Sequence, residues 1–121
     1  MTTVKRTERG WAGHFICAQR CLFRRNTLLE AAEIRVVVST VGLMQDNDDG
    51  FREIGCNRYY ETMAFHALRE QDRYWDADVS RQVSFDSNWA IDNLDADDKA
   101  NDMHEAVVDE LTKKLETSGE L

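Results

Sequence analysis

The sequence predicts an α+β protein in which an antiparallel sheet of about five strands is followed by one C-terminal amphipathic helix. Two observations carry this prediction. Several short segments between residues 11 and 85 alternate apolar and polar residues or are rich in β-branched ones, and both patterns are typical of strands. From Asp95 onward, apolar residues recur at helical spacing instead. The 121 residues suit a single domain over 1–121, because a chain of this length supports one core.

In the first third of the chain, the sequence pattern predicts three strands after a short polar N-terminal segment. Residues 1–9 are polar and charged, and we expect them to be frayed and mobile. Trp11 to Ala18 alternates in a way that suits a strand buried on one face and partly on the other. Leu22 to Leu29 is a second candidate, interrupted by two arginines. Glu33 to Val41 is the clearest strand, since isoleucine and valines dominate it.

The middle of the chain alternates turn signals with further strands. Gln45 to Gly50 predicts a turn or loop, because Asp and Asn bond their own backbone. Phe51 to Ile54 suits a short strand. Tyr59 to Leu68 alternates, but its Glu, Ala, Met and Leu also favour a helix, and we favour a strand leading into a polar loop at Glu70 to Arg73. Val79 to Phe85 alternates well and predicts another strand.

The C-terminal helix is the most strongly patterned element. Lys113 and Lys114 lie near its end, Ser118 and Gly119 follow as its stop, and acids concentrate near its start, an arrangement that suits the helix dipole. The apolar positions at helical spacing are Ala100, Met103, Val107, Leu111 and Leu115. The acids are Asp97, Asp98, Asp102, Glu105, Asp109 and Glu110.

Charge is unevenly distributed along the chain. The formal net charge is −8, but residues 1–40 carry +4 and residues 41–121 carry −12. An acidic total argues against general binding to nucleic acid or to anionic membranes. The distribution fits either a basic sheet balanced by a solvated acidic helix or a local positive pocket in an acidic body. The N-terminus has no apolar run long enough for secretion or membrane spanning, so we expect a cytoplasmic protein.

The cysteines give little support for metal or thiol chemistry. Cys17 and Cys21 are separated by three residues, whereas structural zinc knuckles have closer to two and need a matching second pair. A cysteine nucleophile paired with His14 or His66 is a weak alternative, because no family signature surrounds a cysteine. We therefore expect no metal, no cofactor and no enzymatic activity.

A basic island over residues 23–27 is the clearest candidate ligand site. Phe23, Arg24, Arg25 and Asn26 combine an aromatic ring, two guanidiniums and an amide. Guanidiniums match phosphate and carboxylate oxygens with paired donors, and aromatic rings stack nucleobases. The same residues also suit core and sheet-edge positions, where polar ends reach water. In a regular strand, moreover, consecutive arginines point to opposite faces.

Other polar and aromatic clusters could complete a pocket. The candidates are Arg58 with Tyr59, Trp75, and Phe85. Aromatic residues at these positions can stack a base, and Arg58 can add a second cation. Whether the fold brings them near Arg24 is not determined by spacing.

Four stretches of the chain resemble small proteins carried by phages and prophages. They are residues Gly10 to Leu29, Val38 to Gly42, Arg58 to Ala64 and Asp76 to Val79, spread over roughly the first two thirds of the chain. Together they are similar to the first-described family of anti-Thoeris sponge proteins, which has no short diagnostic motif. The resemblance implies an α+β protein that forms homo-oligomers and catalyses no reaction. Such proteins sequester glycocyclic ADP-ribose made by bacterial TIR enzymes, and some members also bind cyclic oligonucleotides.

Chemistry assigns roles to the candidate residues under this hypothesis. Arg24 and Arg25 would clamp the diphosphate, and Asn26 would bond a base edge or a ribose. The adenine would stack on one of the aromatic candidates, Phe23, Tyr59, Trp75 or Phe85. The rival hypothesis is a phage inhibitor of a protein, such as an anti-CRISPR or DNA mimic, acting through the acidic surface at Asp95 to Glu110.

Overall fold

A computed structural model describes residues 3–9, 20–45, 50–70 and 74–121 of the chain. It confirms the α+β class: an antiparallel sheet is followed by one C-terminal helix. The strands are β1 (Lys5–Glu8), β2 (Cys21–Ala31), β3 (Ile34–Gln45), β4 (Phe51–Arg52), β5 (Tyr60–Glu70), β6 (Tyr74–Val83) and β7 (Ala90–Ile91), and the helix is α1 (Asp97–Ser118).

The sheet has a simple antiparallel order with two short additions. Its main path runs β1-β2-β3-β5-β6, while β4 pairs with β3 and β7 pairs with β5. Strand β5 therefore has β3 on one side and two successive partners on the other. Tyr60 and Glu61 pair with β7, whereas pairing with β6 begins only at Ala64. The gap between those two partners becomes the candidate site described below.

Most predicted strands are confirmed, but the chain terminus and one boundary differ from expectation. Residues 1–9 were expected to be frayed, which is wrong for Lys5–Glu8: they pair with β2 as strand β1. Two hydrogen bonds of 2.8 Å from Arg6 to Glu105 fasten that strand to the helix. The predicted strand at Trp11 to Ala18 lies outside the described residues. The strand predicted at Val79 to Phe85 begins earlier, at Tyr74, and ends at Val83.

The segment that suited both a helix and a strand forms β5. Residues Tyr60 to His66 pair with Gly42 to Val36 of β3 in antiparallel register. This pairing gives the backbone groups of the segment hydrogen-bond partners in the sheet. Tertiary pairing therefore outweighs the helical propensity of its Glu, Ala, Met and Leu. Strand β7, which is only two residues long, had no sequence signal.

Helix α1 packs on one face of the sheet and forms the main core. Val107, Val108, Leu111 and Leu115 on the helix are buried. They pack with sheet residues Leu29, Ala31, Val36, Val38, Ala64 and Val83. The helical spacing that predicted α1 therefore marks its buried face, and Gly119 ends it with a φ of 71°, a left-handed conformation that glycine accepts without strain.

The start of α1 is docked by Tyr60 of β5. Ala96, at the N-cap position, provides no side-chain cap. Instead the Tyr60 hydroxyl donates to Asp97 Oδ1 at 2.6 Å and accepts the Ala96 N–H at 3.4 Å. The ring itself is fully buried. Burial and the neighbouring Asp97 carboxylate raise the pKa of the Tyr60 hydroxyl, which keeps it protonated as a donor.

A buried histidine joins the helix to three strands. His104 is fully buried, and both ring nitrogens lie 2.7 Å from a threonine hydroxyl, Nε2 from Thr27 and Nδ1 from Thr40. Thr40 Oγ1 in turn lies 2.6 Å from Thr62 Oγ1. Because buried polar groups are costly unless they are hydrogen-bonded, this arrangement fixes the helix over β2, β3 and β5.

We expect Gly42→Ala to destabilise the protein strongly. A Cβ at this position of β3 would lie 2.3 Å from Tyr60 Cδ2 and 2.8 Å from the Tyr59 carbonyl oxygen. Overpacking a rigid core typically costs about 1–3 kcal/mol. Urea unfolding should show the loss, and Gly50→Ala is the matched control, since a Cβ there meets nothing within 4 Å. Equal stability of the two variants would contradict the expected close contact.

We expect stability to fall between pH 7 and pH 5 because of His104. Burial lowers the pKa of this imidazole from 6.5 to about 4, so the unfolded chain binds more protons than the native protein in this range. The neutral form therefore contributes stability above pH 6.5 that is lost as the pH falls towards 4. The loss between pH 7 and pH 5 is about 2 kcal/mol.

Urea unfolding at the two pH values measures this effect. The pKa of His66 is also lowered, by burial and then by Arg81, so the comparison needs both histidines. The pH dependence should persist largely in His66→Gln and shrink in His104→Gln. The reverse pattern would assign the effect to His66.

Candidate functional site

The basic island of residues 23–27 lies in the middle of strand β2. Arg24 pairs with Val41 and Arg25 pairs with Thr40, in unbroken register. Consecutive strand residues point to opposite faces, so the two guanidiniums do not converge on one ligand. The proposed diphosphate clamp by both arginines is therefore wrong, because side chains alternate between the two faces of a regular strand.

Arg25 and Asn26 are engaged within the protein. On the helix side of the sheet, Arg25 Nη2 donates to the carboxylate of Glu8 and, at 3.2 Å, to Glu105 Oε1. On the other side, Asn26 is only 3% exposed and its Oδ1 accepts a 3.0 Å hydrogen bond from Arg9 Nε. These contacts give both side chains structural roles.

Two aromatic candidates are also packed inside the fold. Phe23 lies edge-on to Tyr60, with ring centroids 5.6 Å apart. Tyr59 packs against the same cluster, and its backbone N–H donates to the Ile91 carbonyl at 2.8 Å. Their rings therefore contribute to the core beneath the start of α1.

Trp75 lies among guanidiniums. The Cζ atom of Arg35 is 4.4 Å from its ring centroid and that of Arg69 is 5.6 Å away, both within cation–π distance. Its carbonyl oxygen accepts a 2.5 Å hydrogen bond from Arg9 Nη1. The ring thus meets cations of this chain at the position where a stacked base was expected.

Two of the predicted residues, Arg58 and Phe85, share a cleft on the outer side of strand β5. It forms where β7 has ended and β6 has not yet begun, and its volume is about 390 Å³. We call it the edge cleft. Its lining comprises Arg58, Glu61, Thr62, Met63, Gln82, Val83, Ser84, Phe85 and Trp89.

Arg58 is oriented by three neighbours. Its Nε donates to Glu61 Oε2 at 2.6 Å, and its Cζ lies 5.0 Å from the ring centroid of Trp89. Gly55 provides the room, because a Cβ there would lie 2.3 Å from Arg58 Cζ. Among the residues described here, the hydrogen bond to Glu61 uses Nε and leaves Nη1 and Nη2 outside it.

The loop that carries Phe85 and Trp89 is held by the helix. Glu110 accepts hydrogen bonds of 2.8 Å from the Asp86 and Ser87 N–H groups and of 2.6 Å from the Ser87 hydroxyl. At the other end of the loop, the Thr62 N–H donates to the Trp89 carbonyl at 2.7 Å. Burial opposes ionisation of Glu110, but these hydrogen bonds outweigh it and lower its pKa to about 2.

The edge cleft combines one cation, one carboxylate and an exposed aromatic ring. Trp89 is 48% exposed although it is large and apolar, so one part of the indole remains available to a flat ligand. Neither cysteine nor histidine occurs in the lining, so that lining contains no thiol or imidazole pair for nucleophilic catalysis. Its groups are suited to stacking, hydrogen bonding and charge pairing.

Sequence reasoning missed Glu61 and Trp89 as site residues. Trp89 stands beside a turn in the sequence, and a tryptophan there is a usable signal for an exposed ring. Glu61 had none, since its role depends on Arg58 folding back over it. No cluster of three or more potential metal ligands occurs in the described ranges.

Comparisons with known proteins identify no relative: no family model, no curated protein and no solved structure matches this chain. Within the described ranges, no helix combines the length and the apolar character needed to cross a membrane.

We expect Glu110→Ala to release the loop of residues 84–89 without unfolding the protein. Hydrogen bonds to a charged group contribute about 1.5–3 kcal/mol each, so loss of this carboxylate should speed hydrogen exchange at the Asp86 and Ser87 amides by at least about tenfold. The neighbouring exposed Asp109→Ala is the matched control. Unchanged exchange in Glu110→Ala would show that other contacts hold the loop.

Proposed function

We propose that this protein is a nucleotide sponge that binds a glycocyclic ADP-ribose signal, or a related cyclic nucleotide, and holds it without cleaving it. By doing so in the cytoplasm of an infected bacterium, it would block the defence that the signal activates. The observation that carries the proposal is the edge cleft, in which one guanidinium lies over an indole that remains 48% exposed. The resemblance to the anti-Thoeris sponge family supplies the ligand class.

The cleft has the groups that a nucleotide requires. The Trp89 and Phe85 rings offer apolar surface for a base, and such stacking contributes about 1–3 kcal/mol per base. The terminal nitrogens of Arg58 offer donors to a phosphate. Because Glu61 holds Nε, the guanidinium is already oriented before a ligand arrives, which reduces the entropy lost on binding.

Charge balance favours an oligomeric binding unit. A diphosphate carries two negative charges, while the described lining supplies one guanidinium and one carboxylate. Neutralising a bound diphosphate would therefore require cations from residues other than those that line the cleft. We propose that a second copy of the chain contributes to the binding unit, as the homo-oligomer implied by the resemblance allows.

Sequestration also sets a requirement on affinity. A sponge lowers the free signal only if its dissociation constant lies below the signal concentration and the protein is abundant. A binding site with oriented groups and no catalytic pair meets that requirement better than a site built to turn over its ligand.

The second candidate is a protein-binding inhibitor that uses the acidic face of α1. Asp98, Asp102 and Asp109 are exposed and could imitate phosphates. The other three acids near the start of α1 accept hydrogen bonds from this chain: Asp97 from Tyr60, Glu105 from Arg6 and Arg25, and Glu110 from Ser87. A stoichiometric host protein recovered in a pull-down would favour this candidate, whereas intact nucleotide released on heating would favour the sponge.

We expect calorimetry to show binding of glycocyclic ADP-ribose that depends on Arg58 and Trp89. Arg58→Ala should weaken binding at least about tenfold, since a charged hydrogen bond contributes about 1.5–3 kcal/mol, and Trp89→Ala should weaken it similarly through lost stacking. The exposed Arg52→Ala in β4 is the matched control. Mass spectrometry of ligand released by heating should recover it unchanged.

Two results would contradict the proposal. Folded wild-type protein that gives no binding signal with glycocyclic ADP-ribose or cyclic dinucleotides would exclude the sponge. Binding that survives Arg58→Ala and Trp89→Ala unchanged would exclude the edge cleft as its site.

A further inference from the structure

A chain of five polar side chains crosses the protein from strand β1 to strand β5. It begins at the Glu8 carboxylate, which accepts the Thr27 hydroxyl, and continues from Thr27 Oγ1 to His104 Nε2 at 2.7 Å. From His104 Nδ1 it reaches Thr40 Oγ1 at 2.7 Å and then Thr62 Oγ1 at 2.6 Å. We call these five residues the relay.

The chemistry of Glu8 fixes the direction of every hydrogen bond in the relay. An ionised carboxylate can only accept, so Thr27 donates its one proton to Glu8. Thr27 must then accept from His104, which places the imidazole proton on Nε2. A neutral imidazole carries one proton, so its Nδ1 accepts from Thr40, and Thr40 accepts from Thr62.

The surroundings of Glu8 and His104 set the charge state of each group at neutral pH. Glu8 and Arg6 face His104 from β1, Arg25 from β2 and Glu105 from its own helix, while β3 and β5 contribute the hydroxyls of Thr40 and Thr62. Burial alone would raise the pKa of Glu8, but the hydrogen bonds from Thr27 and Arg25 outweigh it and lower that pKa. Burial lowers the pKa of His104 to about 4. At neutral pH the relay therefore has an ionised end and a neutral centre.

We propose that the charge state of Glu8 sets the direction of the relay, and with it whether the buried Thr62 hydroxyl at its far end donates to Thr40 or accepts from it. Thr62 borders the edge cleft through its backbone, since the residue is only 1% exposed and its N–H donates to the Trp89 carbonyl. Strand β1 is thereby linked to the cleft across the sheet. Neutralising Glu8 reverses the donors and acceptors of the relay without any rearrangement of the backbone. The inference concerns the protein alone and does not depend on the proposed ligand.

Glu8→Gln should reverse the relay. Arg25 can only donate, and it faces Glu8 Oε1 while Thr27 faces Oε2. The amide must therefore turn its oxygen to Arg25 and its NH₂ group to Thr27. Arg6 reaches Oε2 at 3.5 Å, but it is held by Glu105 at 2.8 Å through both terminal nitrogens. Thr27 then donates to Nε2, and the imidazole proton moves to Nδ1.

Nitrogen-15 NMR of labelled histidine tests this inference at neutral pH, because protonated and bare ring nitrogens resonate in separate regions. In the wild type, Nε2–H should exceed Nδ1–H at His104 by at least about fivefold, since a buried unmade hydrogen bond costs about 1–3 kcal/mol. In Glu8→Gln, Nδ1–H should predominate. The exposed Glu33→Gln in the β2–β3 turn is the matched control and should keep the wild-type tautomer.

A pair of isosteric variants carries the same test if Glu8→Gln does not fold. Thr27→Val cuts the relay on the Glu8 side and should abolish the tautomer preference. Thr40→Val cuts it on the Thr62 side and should leave Nε2–H predominant. An Nδ1–H wild type, an unchanged tautomer in Glu8→Gln, or the opposite behaviour of the two valine variants would each overturn the proposal.

Discussion

The structure depends on hydrogen-bonding a fully buried imidazole where the helix crosses the sheet. His104 meets hydroxyls from β2 and β3 directly and from β5 through Thr40. Because side chains alternate along a strand, a one-residue slip of β2 or β3 would move its threonine to the other face. The imidazole would then lie unpartnered in an apolar core, which is costly. His104 therefore ties the register of the sheet to the position of the helix, and the surrounding aliphatic packing follows from both.

Ion pairs between β1, β2 and α1 explain part of the uneven charge distribution along the chain. Arg6 and Arg25 come from the basic N-terminal part, and both pair with Glu105 of the acidic helix. The hydrogen bond from Arg6 and the nearby charges lower the pKa of Glu105 to about 2. These pairs are partly exposed, so each contributes modestly to stability. Their main consequence is that Arg25, which the sequence offered for a ligand, instead helps Arg6 to dock β1 and α1.

The edge cleft arises from a different feature, the change of partner along β5. Where β7 stops and β6 has not begun, backbone and side chains of β5 border a cleft instead of a continuous neighbouring strand. The Glu110 carboxylate holds the intervening loop, so the exposed Trp89 ring keeps its place beside Arg58. A candidate binding site thus lies at an interruption of the sheet, while the continuous part of the same sheet carries the core.

The sequence by itself determined the class of fold, the strands at Leu22–Leu29 and Glu33–Val41, and helix α1, because local periodicity follows directly from which faces are buried. It also indicated Arg58 and Phe85 as candidates, since a guanidinium and an aromatic ring carry the same chemistry wherever they lie. Tertiary structure alone decided that Arg24 and Arg25 diverge, because strand geometry and register set side-chain direction. It alone placed Trp89 and Glu61 against Arg58, since contacts between distant elements leave no periodic trace in the chain.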